Sequence, residues 1–75
     1  MGLESRLTDD LIRIAAAGGG FRLQAGSRLT DDLIRIAAAA GHSGARLYFA
    51  GMSSRLIDDL IRIGAAGKGA VVFED

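Results

Sequence analysis

The sequence predicts an α/β fold of three stacked helix–strand repeats, with a small parallel sheet of strand order 1-2-3 and the helices on one face of it. The first observation behind this prediction is a repeat. One eleven-residue phrase occurs in three copies, at residues 5–15, 27–37 and 54–64. Such repetition is typical of one supersecondary unit stacked on copies of itself. The second observation is that a short apolar or alternating run follows each phrase after a glycine, as expected for a strand.

We interpret residues 1–75 as a single domain of three units, which span residues 5–26, 27–53 and 54–75. A domain of about 60 residues buries only about 60% of the surface that its unfolded chain exposes, so the core of such a short chain is marginal. Small domains without disulfides or metal ions rely on well-packed elements or on oligomerisation. The near-identity of the copies is typical of recent duplication and of consensus design.

The first half of each unit has the pattern of an amphipathic helix. In the first unit the apolar residues fall on one helical stripe, at Leu7, Leu11, Ile14, Ala15 and Gly18. Thr8 precedes most of this run, where its hydroxyl would cap a backbone N–H group. Asp9 and Asp10 would follow in the first turn, where the helix dipole favours carboxylates. Asp9 and Arg13 are four residues apart and would form an ion pair on the helix surface.

Glycine is predicted to end each helix, because glycine readily adopts the left-handed conformation of a C-terminal cap. The expected stops are Gly18, Gly41 and Gly67. His42 would then lie in a surface loop. In the third unit Ile57 replaces the capping threonine, and a buried contact at Ile57 is the simplest reason for that substitution.

The second half of each unit is predicted to be a strand, and the three strands occupy residues 21–25, 45–50 and 70–74. About twenty residues separate one strand from the next. This length is enough for a helical crossover, so the strands should be parallel and adjacent, with right-handed connections. The helices would then cover one face of the sheet and leave the other face open.

Counting from the matching isoleucines predicts the strand register. Leu23, Leu47 and Val72 align in this register and face the helices. The opposite set lies on the open face of the sheet and consists of Arg22, Gln24, Arg46, Tyr48, Val71 and Phe73. A register error of one residue would invert the face of a strand.

A short strand plus a helix at this period resembles the leucine-rich-repeat class of α/β solenoid. The segment Leu47-Tyr48-Phe49 is similar to the Leu-x-Leu strand of that class, although no unit carries the asparagine or cysteine that follows it there. The units of this chain also begin with the helix. The resemblance implies a curved stack that binds proteins.

No catalytic, cofactor-binding or metal-binding group of residues is predicted. The paired aspartates of each copy are adjacent on a helix and point about 100° apart, so they do not converge on one ion. The glycines around 18–20 and 67–69 lack the spacing of a phosphate-binding loop and fit helix stops better. One histidine and no cysteine do not make a zinc site. We therefore do not expect an enzyme.

Composition argues against two classes of partner. Nine basic and nine acidic side chains cancel, which argues against a general polyanion binder. No apolar run approaches the roughly 20 residues of a membrane span, and the first residues lack the layout of a signal peptide. We expect a soluble, cytoplasmic chain that does not bind a membrane. Binding of nucleic acid is the less favoured alternative.

The predicted function is that of a structural or interaction module that associates with itself, as a homodimer or larger, or with another protein. The third strand is β-branched and aromatic and has no charge in its centre, so it is the less protected edge of the sheet. The residues predicted to associate are Val71, Val72, Phe73 and Tyr48. The alternative is a small nucleic-acid or anion binder, whose ligand face would be Arg22, Gln24 and Arg46.

Overall fold

The computed structural model describes residues 7–74. Helices and strands alternate along the chain, in the order α1 (Thr8–Ala16), β1 (Phe21–Gln24), α2 (Thr30–Ser43), β2 (Leu47–Ala50), α3 (Ile57–Gly67) and β3 (Val71–Phe73). The strands form one parallel sheet in the order β1-β2-β3. The predicted α/β fold, the alternation of elements and the strand order are confirmed.

The core lies between the helices and one face of the sheet. The leucines at the matching helical position, Leu11 and Leu33, are fully buried, and Leu60 is partly buried. Phe49 is the largest fully buried side chain and lies on the central strand. Burying one leucine side chain stabilises the fold by about 1.5–3 kcal/mol. The leucines of the helical stripe therefore drive the packing of each helix onto the sheet.

The predicted threonine caps are wrong. The N-cap positions are held by Leu7, Leu29 and Leu56, whose side chains carry no hydrogen-bonding group. Thr8 and Thr30 are instead the first helical residues. Their hydroxyls are directed to the neighbouring unit, as described below, and are therefore not available to the backbone of their own helix.

The first helix ends as predicted, at a glycine. The Gly18 N–H donates to the Ala15 carbonyl at 3.0 Å, and the Gly19 N–H donates to the Ile14 carbonyl at 3.0 Å. Gly18 has a φ of 93°, in the left-handed region. This pair of hydrogen bonds is the Schellman arrangement that satisfies the last carbonyls of a helix.

The second helix does not end at Gly41. It continues to Ser43 and ends at Gly44, which has a φ of 83°. Gly41 is needed for another reason: a Cβ atom at this position would lie 2.9 Å from the carbonyl oxygen of Gly67, so α2 and α3 could not approach as closely. His42 consequently lies in the last turn of α2, not in a loop.

The third helix includes Gly67 as its last residue, and Lys68 takes the left-handed conformation with a φ of 50°. Gly67 is buried, and a Cβ atom there would meet the Val71 side chain at 2.7 Å. Gly67 is therefore required for space, while the turn itself falls on a lysine.

The register differs from the predicted one. Leu23 pairs with Phe49, and Phe49 pairs with Phe73, while Leu47 pairs with Val71. The shift between β1 and β2 is two residues, which preserves the faces. The shift between β2 and β3 is one residue, which inverts β3: Val71 and Phe73 pack against the core, and Val72 lies on the open face.

Candidate self-association surfaces

Neighbouring units are joined by a repeated hydrogen-bond motif at the start of the helices. The Arg28 guanidinium donates to Thr8 Oγ1 at 3.2 Å, and the Thr8 hydroxyl donates to an Asp32 carboxylate oxygen at 3.4 Å. The same motif recurs one unit later, where the Arg55 guanidinium donates to Thr30 Oγ1 at 2.7 Å and the Thr30 hydroxyl donates to an Asp59 carboxylate oxygen at 3.3 Å. Each threonine is thus bound by the unit that follows it.

Arg55 also binds the backbone between β1 and α2. Its guanidinium donates to the Ala25 carbonyl at 3.0 Å and the Gly26 carbonyl at 3.3 Å, and to the Arg28 carbonyl. A planar guanidinium presents several donors in a fixed geometry, which suits this cluster of acceptors. Arg55 therefore attaches the third unit to the end of the first unit and the start of the second.

Ion pairs repeat across the outer surface of the helices. Arg35 lies 3.6 Å from Asp9 of the preceding helix and 3.6 Å from Asp32 of its own. The equivalent Arg62 lies 3.8 Å from Asp31 and 3.9 Å from Asp59, respectively. Each arginine thus pairs with an aspartate of the preceding unit. It also pairs with an aspartate of its own helix, which lies three residues before it instead of the predicted four. The predicted Asp9–Arg13 pair is not formed among the described residues.

Burial differences between equivalent residues identify the two faces by which units stack. Ile12 and Ile34 are partly buried against the core, while the equivalent Ile61 is 60% exposed, since no further unit packs on the third one within residues 7–74. At the other end, Ile36 is fully buried and its equivalent Ile14 is only half-buried, since no unit among residues 7–74 packs on the rear of the first one. Each unit therefore has a forward side and a rear side that pack on different neighbours.

The forward side of the third unit forms one open end of the stack. We call it the forward end, and its residues are Ile57, Asp58 and Ile61. Ile57 is 68% exposed, so the predicted buried contact at this residue is wrong. Asp58 is equivalent to Asp9 and Asp31 but faces no arginine among residues 7–74. The threonines of the first two copies have their partners in the next unit, whereas no further unit among residues 7–74 lies beside Ile57.

The rear side of the first unit forms the other open end, which we call the rear end. It is an open groove of about 500 Å³, lined by Asp10, Arg13, Ile14 and Ala17. Arg13 is equivalent to Arg35 and Arg62, but it makes no ion pair with any described residue. Ala17 is exposed, whereas its equivalents Ala39 and Ala66 are partly buried against the core.

The open face of the sheet is more polar than the sequence suggests. Arg22 lies over the Tyr48 ring at 5.2 Å from its centroid and forms an ion pair with Glu74. Val72 is 36% exposed on the same face. Of the residues predicted to associate, Tyr48 and Val72 share this face, whereas Val71 and Phe73 lie on the other one. The predicted cluster of Phe73 and Tyr48 across a dimer junction is therefore wrong.

The residues of the predicted ligand face are only partly brought together. Arg22 and Gln24 lie on the open face of β1. Arg46 precedes β2 and lines a separate groove of about 210 Å³ with Lys68, beside the ends of α2 and α3. Cations at helix C-termini are favoured by the helix dipole, which accounts for this pair without a ligand.

Within residues 7–74 no group of three histidine, aspartate or glutamate side chains is arranged to hold a metal ion. None of the helices in this range is long and apolar enough to cross a membrane.

Comparisons with protein-family models, with curated proteins and with solved structures gave no match for this chain.

Sequence reasoning missed both ends of the stack. The signal was present at Ile57, where a polar position of two copies becomes apolar in the last copy. The threonine binds the following unit, as the contacts of Arg28 and Arg55 show. Without those contacts, the sequence gives no reason to place Ile57 on the surface.

Proposed function

We propose that this protein is an interaction module that associates with itself, and that the third unit supplies the surface covered by a second copy. The observation that carries the proposal is the forward end, where Ile57 and Ile61 are 68% and 60% exposed one helical turn apart. Stacked-repeat proteins normally end in a unit with a polar outer face, which keeps the stack soluble and monomeric. The third unit has the opposite character.

The edge of the sheet at the same end supports the proposal. The backbone of β3 is paired with β2 on one side, and no strand of the described chain lies on its other side. Open strand edges readily pair with another chain unless charge or cover protects them. Val72 adds apolar surface on the open face. A second copy would cover the helix and the strand edge together.

The proposal is tested by Ile61→Gln, which removes apolar surface from the forward end while keeping the side-chain size and helix propensity. Loss of one buried isoleucine contact costs roughly 1.5–3 kcal/mol. We therefore expect the dissociation constant of self-association, measured by sedimentation equilibrium, to rise at least about tenfold.

Leu29→Gln is the matched control. Leu29 is 71% exposed in the central unit, away from both open ends, and its replacement removes a similar apolar area. It should leave the dissociation constant unchanged. An equal loss in both variants would show that association is a non-specific property of exposed aliphatic side chains, and would contradict the proposal.

The alternative function, binding of an anion or nucleic acid by Arg22, Gln24 and Arg46, has weaker support. Arg22 is already paired with Glu74, which reduces the positive potential of the open face, and Arg46 lies in a different groove. Phosphate contacts make nucleic-acid binding steeply salt-dependent. Retention on heparin that disappears with added salt, and that is lost in Arg22→Gln, would favour this alternative.

A further inference from the structure

The two open ends of the stack are unmatched halves of the same internal junction. In each internal junction an aspartate on the forward side of one unit forms an ion pair with an arginine on the rear side of the next, and an isoleucine on each of the two sides is at least partly buried. The ion pairs are Asp9–Arg35 and Asp31–Arg62, and the isoleucines are Ile12 and Ile36 at the first junction and Ile34 and Ile63 at the second.

The forward end carries the first half of a third junction, in Asp58 and Ile61. The rear end carries the second half, in Arg13 and Ile14. Within the described chain Asp58 and Arg13 form no ion pair, and Ile61 is more exposed than its internal equivalents. The groove at the rear end is open in the described chain. The two ends are therefore complementary in charge, and the exposed isoleucine of one end has an open groove as its counterpart at the other.

We propose that the second copy stacks head to tail, with α3 of one molecule packed against α1 of the next. This inference rests on the proposed function and specifies how the copies meet. Ile61 of one molecule enters the groove beside Ile14 and Ala17 of the next, and Asp58 pairs with Arg13. The contact repeats the packing that the chain already forms twice within itself.

The sheet continues through the same contact. When α3 is followed by α1 of the next molecule, the free edge of β3 faces the free edge of β1, in the parallel direction in which β1, β2 and β3 already pair. The backbone groups of both edges then gain partners. A head-to-tail contact is heterologous, because it joins two different surfaces. The resulting pair still has one free forward end and one free rear end, to which further copies add.

One feature makes the junction between molecules weaker than the internal ones. Ile57 stands in the place of Thr8 and Thr30 and cannot donate to the carboxylate of the next unit, as those residues do. Ile57 cannot accept from an arginine either, so the proposed contact lacks two hydrogen bonds that each internal junction possesses. Assembly should accordingly be reversible and depend on protein concentration.

A two-fold dimer is the competing arrangement, and it is the one expected from pairing β3 with its own mate. It places two forward ends against each other and leaves both rear ends unused. Such a dimer closes on itself and stops at two copies.

The test uses two variants that each block one end with a charge of the same sign. Ala17→Lys blocks the rear end, and Ile61→Lys blocks the forward end. Both side chains are exposed in the monomer, and circular dichroism with thermal melting verifies that each variant folds. We expect each variant alone to be monomeric by sedimentation velocity. An equimolar mixture should form a dimer containing one copy of each and nothing larger, because only one junction is unblocked.

The results separate this inference from the proposed function. If Ala17→Lys associates as the wild type does while Ile61→Lys remains monomeric, the head-to-tail arrangement is wrong and self-association through the third unit stands. A mixture that remains monomeric, with both variants folded and the wild type associating, also overturns it. If the wild type itself is monomeric, the proposed function fails as well.

Discussion

Lys68 shows how one residue can carry a strained turn in an otherwise regular repeat. It has a φ of 50° and is the non-glycine residue with positive φ among residues 7–74. Left-handed backbone costs roughly 1–2 kcal/mol for a residue with a Cβ atom. The flanking glycines do not take this conformation at the cap, because Gly67 is still helical and Gly69 lies one residue further on.

Lys68→Gly should therefore stabilise the protein. Removing the strain outweighs the larger entropy that glycine has in the unfolded chain, about 0.5–1 kcal/mol, and we expect a net gain of about 0.5–1 kcal/mol. The measurement is the free energy of unfolding from urea denaturation. Lys68→Ala is the control, since it removes the same charge but keeps the Cβ atom and should give no gain. A Lys68→Gly protein that is less stable than the wild type would contradict this account of the turn.

The threonine of the repeat is the residue whose role changed most between sequence and structure. A hydroxyl at the start of a helix is typical of a cap, and the local pattern around Thr8 offered no reason to prefer another role. Its actual partners, Arg28 and Asp32, lie 20 and 24 residues away along the chain. Contacts over such distances depend on the stacking geometry, which no local pattern contains.

At the level of elements, the helices and strands follow from periodicity, and the register errors follow from where the helices end. The sequence predicts a helix stop at Gly41 and therefore a connection after it. The helix in fact continues to Ser43 and is 14 residues long, compared with 9 for α1 and 11 for α3. The strand register depends on this count, because the connections determine where each strand begins.

The inverted face of the third strand arises in the third unit, where α3 runs to Gly67 and the strand begins one residue later than in the first unit. The paired residues Phe21, Leu47 and Val71 lie seven, eleven and eight residues after the matching isoleucines of their units. When the counts of two units differ by an even number, the same positions of their strands face the core, and when they differ by an odd number, the faces are exchanged. The sequence could therefore predict a candidate site at β3 and its edge. It could not predict that Phe73 packs against the core.

The junction between the second and third units provides a test at this scale. Thr30→Val keeps the shape of the side chain but removes the hydroxyl that accepts from Arg55 and donates to Asp59. Hydrogen bonds to charged groups contribute roughly 1.5–3 kcal/mol. Both partners retain other contacts, so we expect a loss of about 1–2 kcal/mol in the free energy of unfolding.

Ile57→Val is the matched control for that substitution. Ile57 occupies the equivalent position at the forward end and is 68% exposed, so the change should alter stability by less than about 0.5 kcal/mol. Equal effects of the two substitutions would mean that the threonine contributes only helix propensity and that the junction is held by other contacts.

For the whole molecule, the repeat explains both the fold and its open ends. Two junctions inside the chain bury the leucines and isoleucines of the helices and pair arginine with aspartate. A stack of three identical units must present an unmatched junction at each end, unless its terminal units differ from the central one. The third unit does differ, but by becoming more apolar at Ile57, which is the reverse of a protective cap.

The native molar mass of the wild-type chain, measured by sedimentation across the micromolar concentration range, is the most direct test of the central claim that the third unit binds a second copy. The account predicts that the mass rises with concentration above the 7.8 kDa of one chain and passes beyond that of a dimer. A folded chain that remains at 7.8 kDa over the whole range would contradict it.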